Sequence, residues 1–215
     1  RAVGEINGEQ KMYPASLTKM MTCLVAIEEI RNLNKEITLT QEMFAGLYEQ
    51  NATQAGFQPG ETVRVIDLLY GVILPSGAEC CIALADTIAG SEQDFVDLMN
   101  KKADKLGMDD THFMNSTGLH DPEHYSTARD MAVLLEQGLK NETFREIIES
   151  PWHSTPGTNI HPDGITYYST MFKNLSDPSV TGGKIMGGKT GYTGEAGHCL
   201  ASFAEIEGVE YIFVT

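Results

Sequence analysis

Ser16 and Lys19 form an S-x-x-K pattern whose residue types could carry out nucleophilic chemistry. Residues three positions apart share one face of a helix, so the amine and the hydroxyl can meet there. A neutral lysine can take the proton of a serine that attacks a substrate. For that role the pKa of Lys19 must fall by about 3 units, which costs ~4 kcal/mol. Burial in a dry cleft and a nearby second cation are the physical means.

Lys189 could be that second cation, in the pattern Lys189-Thr190-Gly191. A lysine and a hydroxyl on a strand edge can bind a carboxylate while the backbone pairs with an extended peptide. The missing Cβ of Gly191 lets such a ligand approach closely. Both patterns also have ordinary explanations: an N-cap serine beside a solvated helix lysine, and a glycine-rich solvated turn over residues 187–197.

The elements that must position these residues are mostly helices. Apolar positions 17, 20, 21, 24 and 25 recur at helical spacing and predict a buried stripe on a helix from about residue 14 to 30. Short apolar helices are predicted over 67–74, ending at Pro75, and over 77–89. Capping patterns at Ser91 and Thr127 predict helices over about 92–107 and 128–140.

Beyond Pro151 the pattern changes to turns and strands, and residues 197–206 and 209–215 predict two antiparallel strands. Residues 2–6 alternate weakly before a turn. The predicted fold class is α+β, with an antiparallel sheet formed from the chain termini packed against a mostly helical region. We expect one domain over residues 1–215, with a sheet lobe from about 1–13 and 180–215 and a helical lobe from about 14–179.

Another short pattern, Ser76-Gly77-Ala78, comes second along the chain, between Ser16-x-x-Lys19 and Lys189-Thr190-Gly191, and the three together resemble the penicillin-recognising serine transferases. The resemblance is to the D-alanyl-D-alanine carboxypeptidases, which are low-molecular-weight penicillin-binding proteins. It rests on PASLTKMMT, LPSGAECCIALA, NSTGLHDPEHYSTARDMA and GGKTGYTGEAG, in the order and approximate spacing of that family. It implies a β-lactamase/transpeptidase-like fold. It also implies a serine D,D-carboxypeptidase that removes the terminal D-alanine from peptidoglycan stem peptides and is acylated by β-lactams.

The resemblance assigns catalytic roles by position. It implies that Ser16 is the acylated nucleophile, that Lys19 is its base, and that Ser76 relays the proton toward the leaving D-alanine amine. Water would then hydrolyse the acyl-enzyme, and a β-lactam would trap the enzyme because its ester hydrolyses slowly. No cofactor and no metal are implied.

The same resemblance assigns the substrate-binding residues. Lys189 and Thr190 would hold the terminal carboxylate beside Gly191, and the backbone N–H groups of Ser16 and Tyr192 would form the oxyanion hole. The implied partners are a stem peptide ending in D-Ala-D-Ala and β-lactam antibiotics. The implied location is extracytoplasmic, in the bacterial cell envelope.

The sequence departs from the family pattern at several positions. The second pattern ends in Ala78, where relatives usually have an asparagine whose amide holds the substrate, and neighbouring Glu79 cannot donate hydrogen bonds as a carboxylate. Glu210 aligns loosely where relatives often carry an arginine that faces the substrate carboxylate. Arg1 replaces an initiator Met, and the usual C-terminal β domain with its membrane anchor is absent. We therefore expect a sequence cut at both ends, with membrane contact only through segments outside it.

Composition excludes several other classes. The chain is 41% hydrophobic and 21% charged, as expected of a globular protein with a real core. Its net charge of −15 argues against nucleic acid as a partner, because a polyanion gains nothing from the release of phosphate counterions. The four cysteines form no C-x-x-C pair, and we expect buried free thiols.

Two further motifs match binding sites by letter alone. Residues 183–190 fit the P-loop pattern G-x-x-x-x-G-K-T, but no buried strand is predicted before them and no helix after them. Residues 120–124 fit the inverted zinc pattern H-x-x-E-H, but Pro122 opposes the required helix. We interpret the second segment as a polar loop with solvated histidines.

Three alternatives to the carboxypeptidase stay open. A class A β-lactamase would have Ser-Asp-Asn at residues 76–78, which do not match. Esterases also use S-x-x-K, but the Lys-Thr-Gly pattern favours a substrate that ends in a carboxylate. A catalytically weakened penicillin or peptidoglycan sensor is the alternative from another functional class, and Ala78 is its support.

Overall fold

The computed structural model describes residues 2–215, so Arg1 of the predicted N-terminal lobe lies outside the described residues. The chain forms a helical part followed by a four-stranded sheet, and the helices are bounded as follows: a 3₁₀ turn Ala15–Leu17, α1 Thr18–Glu29, a second 3₁₀ turn Gln41–Phe44, α2 Val65–Ile73, α3 Ala78–Ala89, α4 Glu92–Leu106, α5 Ala128–Gly138, α6 Glu142–Glu149 and the short α7 Thr170–Lys173.

Helix α1 is the centre of the helical part. Its residues from Thr18 to Ala26 are all buried, because the helix packs against α2 and α3 on one side and α4 to α6 on the others. A helix that is apolar around most of its circumference must be enclosed in this way. The predicted stripe is therefore confirmed as part of a wider buried surface.

The caps predicted from the sequence are present. The side chain of Ser91 accepts a hydrogen bond from the Asp94 N–H at the start of α4, and Thr127 accepts one from Asp130 at the start of α5. Helix α6 was not predicted, although Asn141 caps it in the same manner. An asparagine cap without a following long apolar stripe is a weak signal in sequence.

The strands within residues 2–215 form three antiparallel sheets. Two are small: β1 Glu36–Thr38 with β2 Thr62–Arg64, and β3 Trp152–Ser154 with β4 Thr166–Tyr168. The main sheet has the order β5-β6-β7-β8, with these bounds: β5 Ser179–Val180, β6 Gly183–Thr193, β7 Gly197–Ile206 and β8 Val209–Val214.

The predicted α+β class, with an antiparallel sheet packed on helices, is confirmed, but the described N-terminal residues contribute no strand to that sheet. Met12 instead forms an isolated bridge with Ser126 in the helical part. All four strands come from residues 179–214, so the prediction that both termini build the sheet is wrong for residues 2–13. Weak alternation over five residues is too little apolar surface to fix a strand.

Strand β6 presents the site. From Gly187 to Thr193 it pairs with β7, and among the described strands it has no partner on its other side there, because β5 reaches only Gly183 and Lys184. The 3₁₀ turn at residues 15–17 packs beside it. Among residues 2–215, none of the helices combines the length and apolar character needed to cross a membrane.

Candidate active site

Ser16 and Lys19 meet where the first 3₁₀ turn passes into α1. Nζ of Lys19 donates a hydrogen bond to Oγ of Ser16 over 3.2 Å and another to the Thr117 carbonyl over 2.5 Å. The lysine is only 3% exposed. A solvated helix lysine is therefore excluded, and the amine is held beside the hydroxyl.

Ser76 and Lys189 form a second serine–lysine pair. Nζ of Lys189 donates to Oγ of Ser76 over 3.0 Å and to the Thr190 carbonyl over 2.8 Å. Lys189 is 1% exposed and lies within β6, so the interpretation of this segment as a solvated turn is wrong. The Lys189-Thr190-Gly191 pattern thus contacts the Ser76-Gly77-Ala78 pattern through this hydrogen bond.

Burial lowers the pKa of both lysines, because a buried ammonium loses its hydration. At Lys19 burial is the main cause, and nearby Cys81 and Glu79 partly oppose it. At Lys189 burial is joined by repulsion from the charge of Lys19, and its pKa falls well below the ordinary value. Burial is the first cause at both lysines, and their mutual repulsion further disfavours the state in which both carry a charge.

The backbone near both serines adopts rare conformations. Ala15 has φ of 48° and Ser76 has φ of 68°, a left-handed region that residues with a Cβ rarely adopt. Each residue is adjacent to, or part of, a serine–lysine pair. Such strain persists only where surrounding structure enforces it, and it is concentrated at functional sites.

Gly191 brings β6 against the nucleophile. A Cβ on Gly191 would lie 3.0 Å from the backbone N of Ser16 and 3.2 Å from Cβ of Ala15. The strand edge and the start of α1 are therefore in direct backbone contact. Tyr192 follows Gly191 in the strand and lines the same cavities as Ser16, while its side chain is exposed.

Two adjoining cavities open at these residues. The larger, of about 680 Å³, is lined by Ser76, Thr190 and Gly191, among others, and has a suitable size for a small ligand. The smaller, of about 50 Å³, is lined by Lys19, Ala78 and others. The residues common to both cavities are Ser16, Asn51, Thr53 and Tyr192.

Thr190 lies on the wall of the larger cavity, where its Oγ1 is 2.6 Å from Oγ1 of Thr170 on α7. Thr170 was not singled out in the sequence. Its α7 is only four residues long, and its position beside β6 depends on the tertiary fold.

Glu210 does not lie at these cavities, so its loose alignment with a substrate-facing position is wrong. It pairs with Glu205 near the far end of the sheet and accepts two hydrogen bonds from Arg145 on α6. The larger cavity is reached instead by Thr215, the residue that follows the other end of β8. The short loop at Glu207-Gly208 fixes this register.

The segment from Asn115 to Gly118 supports Lys19 and was missed as a functional element. Oδ1 of Asn115 accepts hydrogen bonds from the backbone N–H groups of Thr117 and Gly118, which orients the Thr117 carbonyl toward Lys19. Gly118 has φ of 81°, and a Cβ there would lie 1.9 Å from the Ala15 carbonyl oxygen. The sequence Asn-Ser-Thr-Gly was a turn signal that could have indicated this.

His124 anchors the start of α1. Its Nδ1 accepts a hydrogen bond from the Met114 N–H, so Nε2 carries the proton and donates to Oγ1 of Thr18 over 2.7 Å. Burial lowers the pKa of His124 to about 4. The expectation of solvated histidines is therefore wrong for His124, whereas His120 packs edge-on against Tyr13.

The remaining motifs are accounted for by the fold. Residues 183–190, which match the P-loop letters, lie within β6 rather than between a strand and a helix. Among residues 2–215, no group of three or more His, Cys, Asp or Glu side chains is placed to hold a metal ion. All four cysteines are buried and free, as predicted.

Comparison with known proteins agrees with this geometry. The sequence model of the Peptidase_S11 family, described as D-alanyl-D-alanine carboxypeptidase, matches residues 1–215. D-alanyl-D-alanine carboxypeptidase DacF of Bacillus subtilis is 33% identical over 202 residues, which cover 93% of this chain and 49% of the relative. DacA of Haemophilus influenzae is 31% identical and is likewise covered over 49% of its length. The chain thus spans about half the length of these curated relatives. The D-alanyl-D-alanine carboxypeptidase of a Streptomyces species is 30% identical, with 93% of this chain and 70% of that protein covered.

Solved structures show the same fold. A Streptomyces DD-transpeptidase has a TM-score of 0.85 at 28% identity, covering 96% of this chain and 80% of that one. A D-alanyl-D-alanine carboxypeptidase of Mycobacterium tuberculosis has a TM-score of 0.82 at 26% identity, covering 95% and 73%. With the family match over its whole length, this chain belongs to the D-alanyl-D-alanine carboxypeptidases, a family of penicillin-recognising serine enzymes.

Proposed function

We propose that this chain is the catalytic domain of a serine D,D-carboxypeptidase that removes the terminal D-alanine from peptidoglycan stem peptides. The observation that carries the proposal is the convergence of two serine–lysine pairs, Ser16 with Lys19 and Ser76 with Lys189, around adjoining cavities. Ser16, Lys19 and Ser76 line these cavities, and Lys189, which lines neither, is connected to the larger one through its hydrogen bond to Ser76.

In the proposed acylation, Oγ of Ser16 attacks the carbonyl carbon of the penultimate D-alanine while Lys19 takes the hydroxyl proton. The neutral amine needed for this step is favoured by the burial of Lys19, which lowers its pKa. The oxyanion would lie between the backbone N–H groups of Ser16 and Tyr192, where β6 touches the start of α1. Collapse of the intermediate breaks the peptide bond, Ser76 gives its hydroxyl proton to the leaving amine, and the proton held by Lys19 passes to Ser76, which leaves Lys19 neutral for the next step.

In the proposed deacylation, a water molecule gives its proton to Lys19 and attacks the ester on Ser16. The peptide acid leaves and the serine recovers its proton, so the cycle consumes one water. A β-lactam would acylate Ser16 in the same way, and its tethered leaving group would keep the ester from turning over quickly.

Lys189 would bind the substrate's terminal carboxylate together with Thr190. In the free protein, burial and the charge of Lys19 lower the pKa of Lys189. An incoming carboxylate supplies the missing opposite charge and favours the ammonium form. Binding would therefore be coupled to uptake of a proton at Lys189, and the net charge of −15 matters little because distant surface carboxylates are screened beyond ~8 Å.

The test is release of free D-alanine from a peptide ending in D-Ala-D-Ala, by the wild-type chain and by Ser16→Ala. We expect release by the wild type and none by the variant, together with a penicillin adduct on Ser16 in the intact mass of the wild type. A variant that releases D-alanine as fast as the wild type would remove Ser16 from the mechanism.

The second candidate is a penicillin or peptidoglycan sensor that is acylated without turnover. Ala78 favours it, because a methyl group lines the smaller cavity where an amide would hold substrate. Stoichiometric acylation by penicillin with no release of D-alanine would support the sensor. Rapid loss of the adduct, with hydrolysed penicillin as product, would instead support a β-lactamase-like hydrolase.

We also propose that residues 1–215 act as one domain in the extracytoplasmic cell envelope, where the peptidoglycan substrate lies. Nucleic acid is not among the proposed partners. At that location peptidoglycan and β-lactams would have access to the open cavity beside β6.

A further inference from the structure

The segment over residues 51–57 forms a wall of the candidate site that the mechanism above does not use. Asn51 and Thr53 line both cavities, as do Ser16 and Tyr192. A ligand that extends from one cavity into the other must therefore pass between this segment and the end of β6, directly beside the nucleophile.

Asn51 and Thr53 have uncommitted polar groups. Across residues 2–215, the Asn51 amide and the Thr53 hydroxyl make no hydrogen bond to the protein, although most polar side chains around the site do. An amide offers both donors and an acceptor, as a peptide backbone requires. The neighbouring Ala78 offers only a methyl group to the smaller cavity.

The segment is fixed in place by buried contacts. Oε1 of Glu79, which is fully buried, accepts hydrogen bonds from the N–H groups of Ala55 at 2.6 Å and Gly56 at 2.9 Å. The Thr53 carbonyl accepts one from the Ala78 N–H over 2.8 Å. These contacts hold the segment against the start of α3, so Asn51 and Thr53 are positioned before a ligand arrives.

A peptide on the open edge of β6 would leave half of its backbone groups facing away from the strand. Those groups lose water where the ligand is covered by the opposite wall, and they need partners from it. The opposite wall carries Asn51. We propose that the Asn51 side-chain amide donates a hydrogen bond to the backbone of the bound peptide beside the scissile bond, with Thr53 as a secondary contact. The proposal rests on the proposed function and adds a substrate-positioning residue to it.

Asn51→Asp and Asn51→Gly test this proposal together. Asn51 has φ of 51°, which aspartate tolerates and glycine adopts freely, so neither change strains the turn. Aspartate keeps the size and the acceptor but cannot donate. We expect each variant to lower kcat/KM for a D-Ala-D-Ala peptide about tenfold, the loss of one ligand hydrogen bond, with an unchanged midpoint of thermal unfolding.

Gln50→Ala is the matched control, because it removes an exposed amide from the adjacent residue, which does not line either cavity. We expect it to keep kcat/KM within twofold of the wild type. An equal loss in Gln50→Ala would assign the effect to the turn and overturn the proposal. So would full activity of Asn51→Asp, because the donor would then be irrelevant.

The rate of acylation by penicillin, followed by intact mass, separates this proposal from the proposed function. If the wild type is acylated without releasing D-alanine, the carboxypeptidase is refuted, but slower acylation of both Asn51 variants would still support the contact. If the wild type releases D-alanine and both variants match it, only the role of Asn51 is refuted. If the wild type does neither, both proposals fall.

Discussion

The two serine–lysine pairs have nearly the same geometry but opposite origins. Lys19 reaches Ser16 over 3.2 Å from three residues away, whereas Lys189 reaches Ser76 over 3.0 Å from 113 residues away. The first contact follows from helical spacing, and the second exists only because β6 packs against the helical part. The pair that is close in sequence therefore identifies the reactive residues from the sequence alone. The pair that is distant in sequence shows which other elements the fold must bring to them.

The two lysines can also be compared by their pKa values and by the carbonyl groups they contact. Burial is the main cause that lowers the pKa of both lysines, and the pKa of Lys189 falls well below its ordinary value. The local lysine has a carbonyl acceptor on a separate segment, at Thr117, while the remote lysine uses the carbonyl of its own neighbour Thr190. We therefore expect proton transfer to depend on Lys19 and anion binding to depend on Lys189.

Lys19→Met should break the local pair and have the largest effect. It removes the proposed base while keeping the buried volume, so we expect acylation by penicillin to slow by roughly 10³-fold. The fold should survive, because replacing a buried lysine with an apolar residue of similar size removes a desolvation cost. Mass spectrometry of samples quenched at set times measures the acylation rate, and thermal unfolding measures the stability of the fold. Acylation at a near normal rate would refute the assignment of Lys19 as base.

Lys189→Met should break the remote pair and have a smaller effect with a different signature. Losing the carboxylate partner should lower kcat/KM for the peptide by roughly 10²-fold, mainly through a higher KM. Lys184→Met on the exposed part of the same strand is the control and should change neither constant. Equal values for Lys189→Met and wild type would show that Lys189 does not hold the substrate.

Acid should lower the stability of the fold through His124, which holds the start of α1 beside the Ser16–Lys19 pair by its hydrogen bond to Thr18. Its pKa is about 4 in the fold against 6.5 for an ordinary histidine, so between those values the unfolded chain binds the extra proton. Stability is therefore complete above pH 6.5 and falls as the pH drops toward 4, by about 3 kcal/mol from this residue. Urea unfolding of wild type and His124→Gln at several pH values should show a shallower decline in the variant. Parallel curves would contradict a buried neutral His124.

Glu210→Gln should have the smallest effect, and it tests whether a third residue besides the two lysines takes part in substrate binding. Its contact with Arg145 is a partly exposed ion pair, of a kind worth about 0 to 1 kcal/mol. We expect kcat/KM to be unchanged and the unfolding free energy to fall by less than about 1 kcal/mol. A large loss of activity would return Glu210 to the substrate site and contradict its position in the sheet.

Most helices and their caps could be predicted because their signals are local. The stripe of α1 and the caps at Ser91 and Thr127 involve residues three or four positions apart, and all are present. The expected strand in residues 2–13 failed because short alternation does not specify a partner. The full length of β6 was not predicted, since its glycine-rich sequence is also typical of a turn.

The candidate site divides in the same way. Spacing and resemblance were enough to propose four residues, because each acts through a side chain that the sequence identifies: Ser16, Lys19, Ser76 and Lys189. Thr117 and Thr170 could not, since one acts through a backbone carbonyl and the other lies on a four-residue helix. A carbonyl is present at every residue, so no letter marks the one that faces a buried amine.

The sequence by itself determined the helical framework, the reactive residue types and the family, because hydrophobic periodicity, capping and ordered motifs are properties of neighbouring residues. Tertiary structure alone decided that Lys189 meets Ser76, that both lysines lose water, that His124 is buried and that Asn51 lines the same cavities as Ser16. Those facts depend on distances across the chain and on exclusion of solvent, and both arise only when β6 closes against the helices.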